Sequence, residues 1–126
     1  MRYISLLLIA LCVLSACNAG NDMSVPSYTI EAHQAAMRAG IDPTLFTRQM
    51  YIDGKSNPGY LNPQSIQSAA NVMSELMKQY HDYAKSLAAE KCGPCVDGAV
   101  AQCGAKWMQC IPVDTKVYIN KVMVAA

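Results

Sequence analysis

The chain has 126 residues, of which ten are Lys or Arg and nine are Asp or Glu, so its net charge is close to zero. It contains no block of basic residues, which argues against nucleic-acid binding, because that function needs a basic face to displace counterions. The length predicts a single domain with a core of modest size, and no segment after the N-terminal one approaches transmembrane length.

The first sixteen residues have the organisation of a secretory signal. A short basic start, Met1–Tyr3, precedes the uncharged apolar run Ile4–Leu14, which is too short to span a bilayer. Cys17 follows two small residues and resembles the lipidated cysteine of a bacterial lipobox. We therefore expect residues 1–16 to be a lipoprotein signal peptide and Cys17 to be the lipidation site and first mature residue. The alternative is an ordinary cleaved signal in which Cys17 is incidental.

The residues after Cys17 indicate where the mature chain is held. Asn18, rather than an aspartate, favours sorting to the outer membrane, so the expected location is the periplasmic face of that membrane. Residues 17–27 are small and polar, which predicts a flexible tether. Residues 28–126 then form the folded domain. The mature chain of 110 residues keeps nine basic and nine acidic side chains, because Arg2 is the only charge removed.

Thr29–Ala39 is predicted to be the first helix of the domain, because its apolar residues fall at helical spacing. Gly40 follows at the position where a residue without a Cβ atom adopts a left-handed conformation at low cost. His33 lies on this helix. A lone histidine there is more often a surface or packing residue than a base or a metal ligand.

A second helix is predicted to begin after Asp42. The Asp42 side chain can cap it, and Pro43 suits its first position because no N–H is needed there. We expect this helix to end at Asp53, since Gly54 follows and the run Lys55–Gly59 is rich in turn-forming residues. Asp53 would then be a carboxylate at the corner between a helix and a loop.

The next helical segment is predicted to be long and to form the core. Asn62 and Pro63 provide its start, and apolar residues recur at spacings of three and four from Ile66 to Ala88. This stripe predicts one continuous helix.

A closing amphipathic helix is predicted from about Asp114 to Met123. Val117, Tyr118 and Val122 are expected to face the core. The chain contains no βαβ pattern, and the predicted fold class is all-α.

Residues 40–58 read GIDPTLFTRQMYIDGKSNP. This stretch resembles the catalytic motif of the soluble lytic transglycosylases, lysozyme-like enzymes that cut bacterial cell-wall glycan, which reads G-[IV]-[DN]-P-x-L-F-x-R-Q-I-x-x-E-S-G-x-N-P. The family's catalytic glutamate falls on Asp53, and the asparagine of its motif falls on Asn57. The resemblance implies a small lysozyme-like helical domain with Asp53 as the catalytic residue and Asn57 as a substrate-binding residue.

The likeness extends over roughly Ile30 to Met123. Residues 82–94 read DYAKSLAAEKCGP where the family commonly shows D-Y-x-x-A-L-A-A-Y-N-A-G-P. The family's tyrosine over the cleft thus falls on Glu90, a second substrate-binding candidate that could serve as a substitute acid, and its asparagine falls on Lys91. The segment containing G-L-M-Q, which builds one wall of the family's cleft, is missing. The resemblance therefore implies a truncated domain whose cleft is shallower or open on one side.

In the family's reaction one carboxyl group protonates the glycosidic oxygen between N-acetylmuramic acid and N-acetylglucosamine. It then accepts the proton of the muramyl 6-hydroxyl, so that an anhydro ring closes without water. Aspartate is one methylene shorter than glutamate, and a displacement of about 1 Å can cost on the order of 10²-fold in rate.

The resemblance implies a peptidoglycan-directed lipoprotein that needs no cofactor, with glycan strands and the membrane as its partners. Two functions follow from it. The first is a lytic transglycosylase in which Asp53 is the acid and base. The second is a catalytically inactive relative that binds glycan or an envelope protein. For Asp53 itself, the alternative to a catalytic role is a solvent-exposed residue at a helix end.

The mature domain contains four cysteines besides Cys17, namely Cys92, Cys95, Cys103 and Cys110. Outside the cytoplasm such a set predicts two disulfides, which can pair in three ways. Some family members show the ending C-G-x-x-W-x-x-C-x-P-x-E-T-x-x-Y-V, in which the tryptophan and tyrosine match Trp107 and Tyr118. This likeness implies the pairs Cys103–Cys110 and Cys92–Cys95. A thioredoxin-type redox site at residues 92–95 is disfavoured because a helix precedes it, and a zinc site is disfavoured because two C-x2-C knuckles are lacking.

Overall fold

A computed structural model describes the backbone of residues 25–124 and the side chains of residues 28–124, and no strand occurs in this range. In chain order its elements are α1 (Val25–Ala39), α2 (Pro43–Ser56), a first 3-10 turn (Pro58–Tyr60), α3 (Pro63–Tyr80), α4 (Tyr83–Cys92), α5 (Cys95–Cys103), a second 3-10 segment (Gly104–Cys110) and α6 (Val113–Met123). The predicted all-α class is confirmed. The signal peptide, the lipidation site Cys17 and the tether up to residue 24 lie outside the described residues.

Helix α1 begins at Val25, four residues before the predicted start, so the last three residues of the expected tether are helical. Pro26 is compatible with this start because the first backbone N–H groups of a helix have no intrahelical acceptor. The predicted end is confirmed, since Gly40 follows with a left-handed φ of 73°. Helix α1 buries one face against α2 and α3.

Helix α2 begins as predicted but does not end at Asp53. Asp42 Oδ1 accepts hydrogen bonds from the backbone N–H groups of Thr44 and Leu45, at 2.9 and 3.0 Å. The helix continues through Gly54 to Ser56. The prediction failed because Gly54 permits close packing rather than a turn: a Cβ atom there would lie 2.6 Å from the side chain of Leu61.

The predicted long helix from Ile66 to Ala88 is wrong, because the chain forms α3 and α4 with a break between them. His81 has a left-handed φ of 56°, and the Asp82 side chain then caps α4 by accepting the backbone N–H of Lys85 at 2.9 Å. The apolar stripe continues across the break because both helices contribute to one core, as the fully buried Met73 and Leu87 show.

The C-terminal part is held by the two disulfides, Cys92–Cys95 and Cys103–Cys110, which confirms the implied pairing. Helix α6 closes the domain at nearly the predicted bounds. Its buried face consists of Thr115, Ile119 and Val122, and Val117 is 46% exposed, so the inward orientation predicted for Val117 was wrong. Within residues 25–124 no helix has the length and hydropathy needed to cross a bilayer.

Candidate functional site

Asp53 lies near the end of α2 with only 12% of its side chain exposed. Its Oδ1 accepts a hydrogen bond of 2.9 Å from the hydroxyl of Tyr118 on α6, and it lies 3.5 Å from Nζ of Lys91 on α4. Three helices therefore meet at this carboxylate. The placement does not agree with the alternative in which Asp53 is a solvent-exposed residue at a helix end.

Lys91 and Tyr118 are also in contact with each other. Lys91 Nζ lies 4.3 Å from the centroid of the Tyr118 ring, so the cation rests on the aromatic face while it faces Asp53. Burial, together with the negative charge of Asp53, raises the pKa of the Tyr118 hydroxyl. Tyr118 consequently keeps its proton and remains a donor, so Asp53 is contacted by one neutral donor and one cation.

Glu90 precedes Lys91 and has 31% of its side chain exposed. Burial, reinforced by the charge of Asp53 and opposed by Lys91, raises the pKa of the Glu90 carboxyl. Glu90 Oε2 lies 3.9 Å from Lys91 Nζ, so Lys91 forms ion pairs with the carboxyl groups of both Asp53 and Glu90. Glu90 therefore retains its proton to a higher pH than an ordinary glutamate does.

Asp53, Glu90 and Lys91 line a groove, called here the first groove, with a volume of about 380 Å³. This lies at the lower end of the range for small-molecule sites, roughly 300–1,000 Å³. The first 3-10 turn and the first half of α3 also contribute to the lining. The remaining lining residues are Met50, Tyr60, Gln64, Ser65, Ser68, Ala69 and Val72. The surface thus combines apolar contacts with hydroxyl, amide and charged groups.

Of the residues predicted from the sequence, the structure brings Asp53 and Glu90 together in the first groove, whereas Asn57 is not part of its lining. Asn57 ends α2, and its Oδ1 accepts the backbone N–H of Gly59 at 3.1 Å. Its contact therefore stabilises the first 3-10 turn, which carries Tyr60 into the groove. A direct contact between Asn57 and substrate stays a prediction, and Cys17 lies in the part of the chain that is not described.

A buried hydrogen bond fixes α4 against α2. The Tyr83 hydroxyl donates to Gln49 Oε1 at 2.8 Å, and Gln49 is only 1% exposed. Burial, with smaller contributions from Asp42, Asp53 and Glu90, raises the pKa of Tyr83, so this donor also stays protonated. The bond sets the distance between the helices that carry Asp53 and Glu90.

Sequence reasoning did not identify Lys91, Tyr118 and Tyr60 as site residues. Tyr118 was interpreted as a core residue, although its match to the C-terminal motif was an available signal. Lys91 was recognised only as a departure from the family's asparagine. Tyr60 carries no motif signal, because its role depends on the path of the first 3-10 turn.

Among residues 25–124 no group of three or more His, Cys, Asp or Glu side chains is arranged to hold a metal ion. No protein-family profile, no sequence of a characterised protein and no solved structure matches the chain. The motif resemblance and the geometry of the first groove are therefore the two observations that bear on function.

Proposed function

We propose that the protein is an envelope lipoprotein, anchored through Cys17, whose first groove binds the glycan strands of peptidoglycan. One observation carries this proposal. Asp53, which matches the catalytic glutamate of the lytic transglycosylase motif, is directed into a groove of about 380 Å³ rather than into solvent. A motif match and a concave surface coincide at the same residue.

The groove has side chains suited to a sugar ring. Tyr60 is 52% exposed and offers an amphipathic aromatic surface to the apolar face of a sugar. Gln64 and Ser68, which line the same groove, offer donors and acceptors for hydroxyl and N-acetyl groups. Small-molecule sites commonly combine an apolar lining with a few placed polar groups in this way.

Binding is favoured over cleavage because of the contacts that Asp53 makes. Asp53 Oδ1 already accepts a hydrogen bond from the Tyr118 hydroxyl and lies 3.5 Å from Lys91 Nζ, so a glycosidic oxygen must displace these partners before the carboxyl group can act on it. The cation occupies the position of an asparagine in the family motif. Asp53 is also shorter than the family's glutamate, which increases its distance from a bound glycosidic oxygen.

Cleavage remains a second candidate because Glu90 lies in the same groove and its pKa is raised by burial. Two carboxyl groups in different environments are the usual basis of acid and base roles in enzymes that cut sugars. In this version Glu90 protonates the glycosidic oxygen, and Asp53 accepts the proton of the muramyl 6-hydroxyl as the anhydro ring closes.

One assay tests both candidates. Purified peptidoglycan is incubated with the whole chain, and bound protein and released anhydromuropeptides are measured together. We expect binding without release. Tyr60→Ala should weaken binding about 10-fold, the loss typical of an aromatic contact residue. Tyr51→Ala is the matched control, because Tyr51 is 45% exposed but does not line the first groove.

The remaining outcomes separate the candidates. Release of anhydromuropeptides that disappears with Glu90→Gln would establish cleavage. The double variant Asp53→Glu/Lys91→Asn restores two residues of the family motif, and a gain of release by it would show that these two changes silence the natural protein. Absence of both binding and release in the natural protein contradicts the proposal.

A further inference from the structure

A second groove lies between α2 and the C-terminal end of α6 and has a volume of about 520 Å³. Its lining contains Arg48, Lys55 and Lys121 but no Asp or Glu. Tyr51, Ile52, Ser56 and Val124 complete it. Three cations therefore share one concave surface without an acidic neighbour among the lining residues.

The Arg48 side chain has hydrogen-bond donors that no described residue accepts. Its Nε and Nη1 atoms are buried and have no hydrogen-bond acceptor among the described residues. Buried donors are almost always paired, and leaving one unpaired costs the desolvation energy of the group, more so for a charged one. Because these two atoms have almost no accessible surface, an acceptor from outside pairs with them only when the Arg48 side chain turns into the groove that it lines.

The position of each lysine can be explained without a ligand. Lys55 lies in the last turn of α2 and Lys121 in the last turn of α6, where cations offset the negative end of the helix dipole. Lys55 Nζ also lies 4.4 Å from the centroid of the Tyr51 ring. Neither explanation applies to Arg48, which lies two turns before the end of α2.

We propose that the second groove is a binding site for the phosphate group of an anionic phospholipid, with Arg48 as the central donor and Lys55 and Lys121 at its edge. Arginine suits this role because its planar guanidinium presents several fixed donors to phosphate oxygens. Tyr51 and Val124 are 45% and 65% exposed, so apolar contact with the interfacial region of a bilayer accompanies the charge.

The position of the groove favours a membrane as the source of the phosphate. Burial raises the pKa of the Tyr28 hydroxyl at the beginning of α1, and the Lys55 ammonium group is near enough to lower it in part. The stretch 17–24 that precedes α1 can extend over at most roughly 29 Å. The second groove is thus near the anchored end of the domain. This membrane source rests on the lipid anchor of the proposed function, whereas the phosphate site itself does not.

The test uses the whole 15N-labelled chain in a non-ionic detergent. The chain has three arginines, Arg2, Arg38 and Arg48, so the Nε–H signal of Arg48 can be assigned by substitution. We expect this signal to move downfield when inorganic phosphate is added, and to stay unchanged with chloride at equal ionic strength. Micelles containing phosphatidylglycerol should move it in the same direction, and micelles containing phosphatidylcholine should not.

Variants define the contribution of Arg48. Arg48→Gln lacks the Nε–H signal, so its phosphate binding is followed by the backbone amide signals of Lys55 and Lys121. It should be weakened about 10-fold or more, as expected for loss of charged hydrogen bonds. Arg38→Gln is the matched control, because Arg38 is exposed and paired with Glu31 at 3.1 Å, and it should change the affinity less than about twofold. If Arg48→Gln does not fold, the edge variant Lys55→Gln/Lys121→Gln serves instead and should weaken the response of the Arg48 signal.

Three results would overturn the proposal. The first is an Arg48 signal that does not respond to phosphate. The second is a signal that already shows a hydrogen-bonded shift without phosphate, since an acceptor of the chain itself would then fill the groove. The third is a response to phosphate without one to phosphatidylglycerol, which overturns the membrane source. Peptidoglycan binding is expected to be unchanged in Arg48→Gln, so failure here is distinct from failure at the first groove.

Discussion

Asp53 and Arg48 are both charged side chains of helix α2, and their directions differ by about 140° around the helix axis. Asp53 faces the first groove and is partnered by Tyr118 and Lys91 from two other helices. Arg48 faces the second groove and has two buried donors without a partner in the described domain. Asp53 thus has its partners within the domain, whereas we propose that the partner of Arg48 is a ligand. Changes around Asp53 should therefore affect stability, and changes at Arg48 should mainly affect binding.

The largest effect is expected when the packing of α2 is disturbed, because this helix lines both grooves. Phe46 is fully buried and fixes α2 in the core. Phe46→Ala should lower the free energy of unfolding by about 3–5 kcal/mol through lost burial and a cavity, and binding to both peptidoglycan and phosphate should fail. Urea denaturation measures the first effect. Phe46→Leu is the control and should cost much less, and selective loss of one binding activity would contradict a shared support.

A smaller effect is expected at the partnered charge. Tyr118→Phe keeps the ring beneath Lys91 but removes the hydrogen bond to Asp53, which should lower the free energy of unfolding by about 1.5–3 kcal/mol. Phosphate binding should not change. Tyr80→Phe is the control, because its hydroxyl donates to exposed Asp97 at 3.0 Å. Equal losses in the two variants would argue against a special role for the Asp53 contact.

A substitution at Gly54 tests packing that shapes the first groove but not the second. In Gly54→Ala a new Cβ atom would lie 2.6 Å from the Leu61 side chain, so Leu61 and the adjacent first 3-10 turn must shift. Overpacking should outweigh the better helix propensity of alanine and lower the free energy of unfolding by about 1 kcal/mol. Peptidoglycan affinity should fall while phosphate affinity is kept.

Gly98→Ala on α5 is the matched control, since nothing lies within 4 Å of its added Cβ. It should be neutral or stabilising, by up to about 1 kcal/mol. A stabilising Gly54→Ala would show that Leu61 moves aside at little cost and that glycine is not needed at this position.

The smallest effect is a pH dependence at Glu90. Because burial raises the pKa of this carboxyl in the folded state, its contribution to stability is present below the unfolded pKa, about 4.3, and is lost as the pH rises through the folded value. Glu90→Gln should therefore gain stability relative to the natural protein between pH 4 and pH 7 in urea denaturation. Glu75→Gln, at a side chain that is 74% exposed, should show no comparable gain.

The sequence predicted the elements whose signals are local. Asp42-Pro43 and Asn62-Pro63 each place a capping side chain before a proline, and both helices start there. The break at His81 could not be predicted from the apolar spacing, because α3 and α4 bury their stripes in the same core. The helix end predicted before Gly54 is wrong because a glycine that ends a helix and one that admits a neighbouring side chain look alike in sequence.

The candidate site was only partly predictable for a different reason. The motif resemblance located Asp53 and Glu90, but the hydrogen bond between Tyr118 and Asp53 joins residues 65 positions apart. No local pattern encodes such a pair. Prediction of the disulfide pairing also depended on the resemblance, because four cysteines alone allow three pairings. The unpartnered donors of Arg48 follow from how α2 and α6 pack, which the sequence does not indicate.

Titration of the whole 15N-labelled chain with a soluble tetrasaccharide of alternating N-acetylglucosamine and N-acetylmuramic acid tests the central claim most directly. Saturable shifts of Tyr60, Ser68 and Lys91, with Tyr51 and Lys121 unmoved, are the result that glycan binding in the first groove predicts. Shifts confined to the second groove, or none at saturating concentrations, would contradict it.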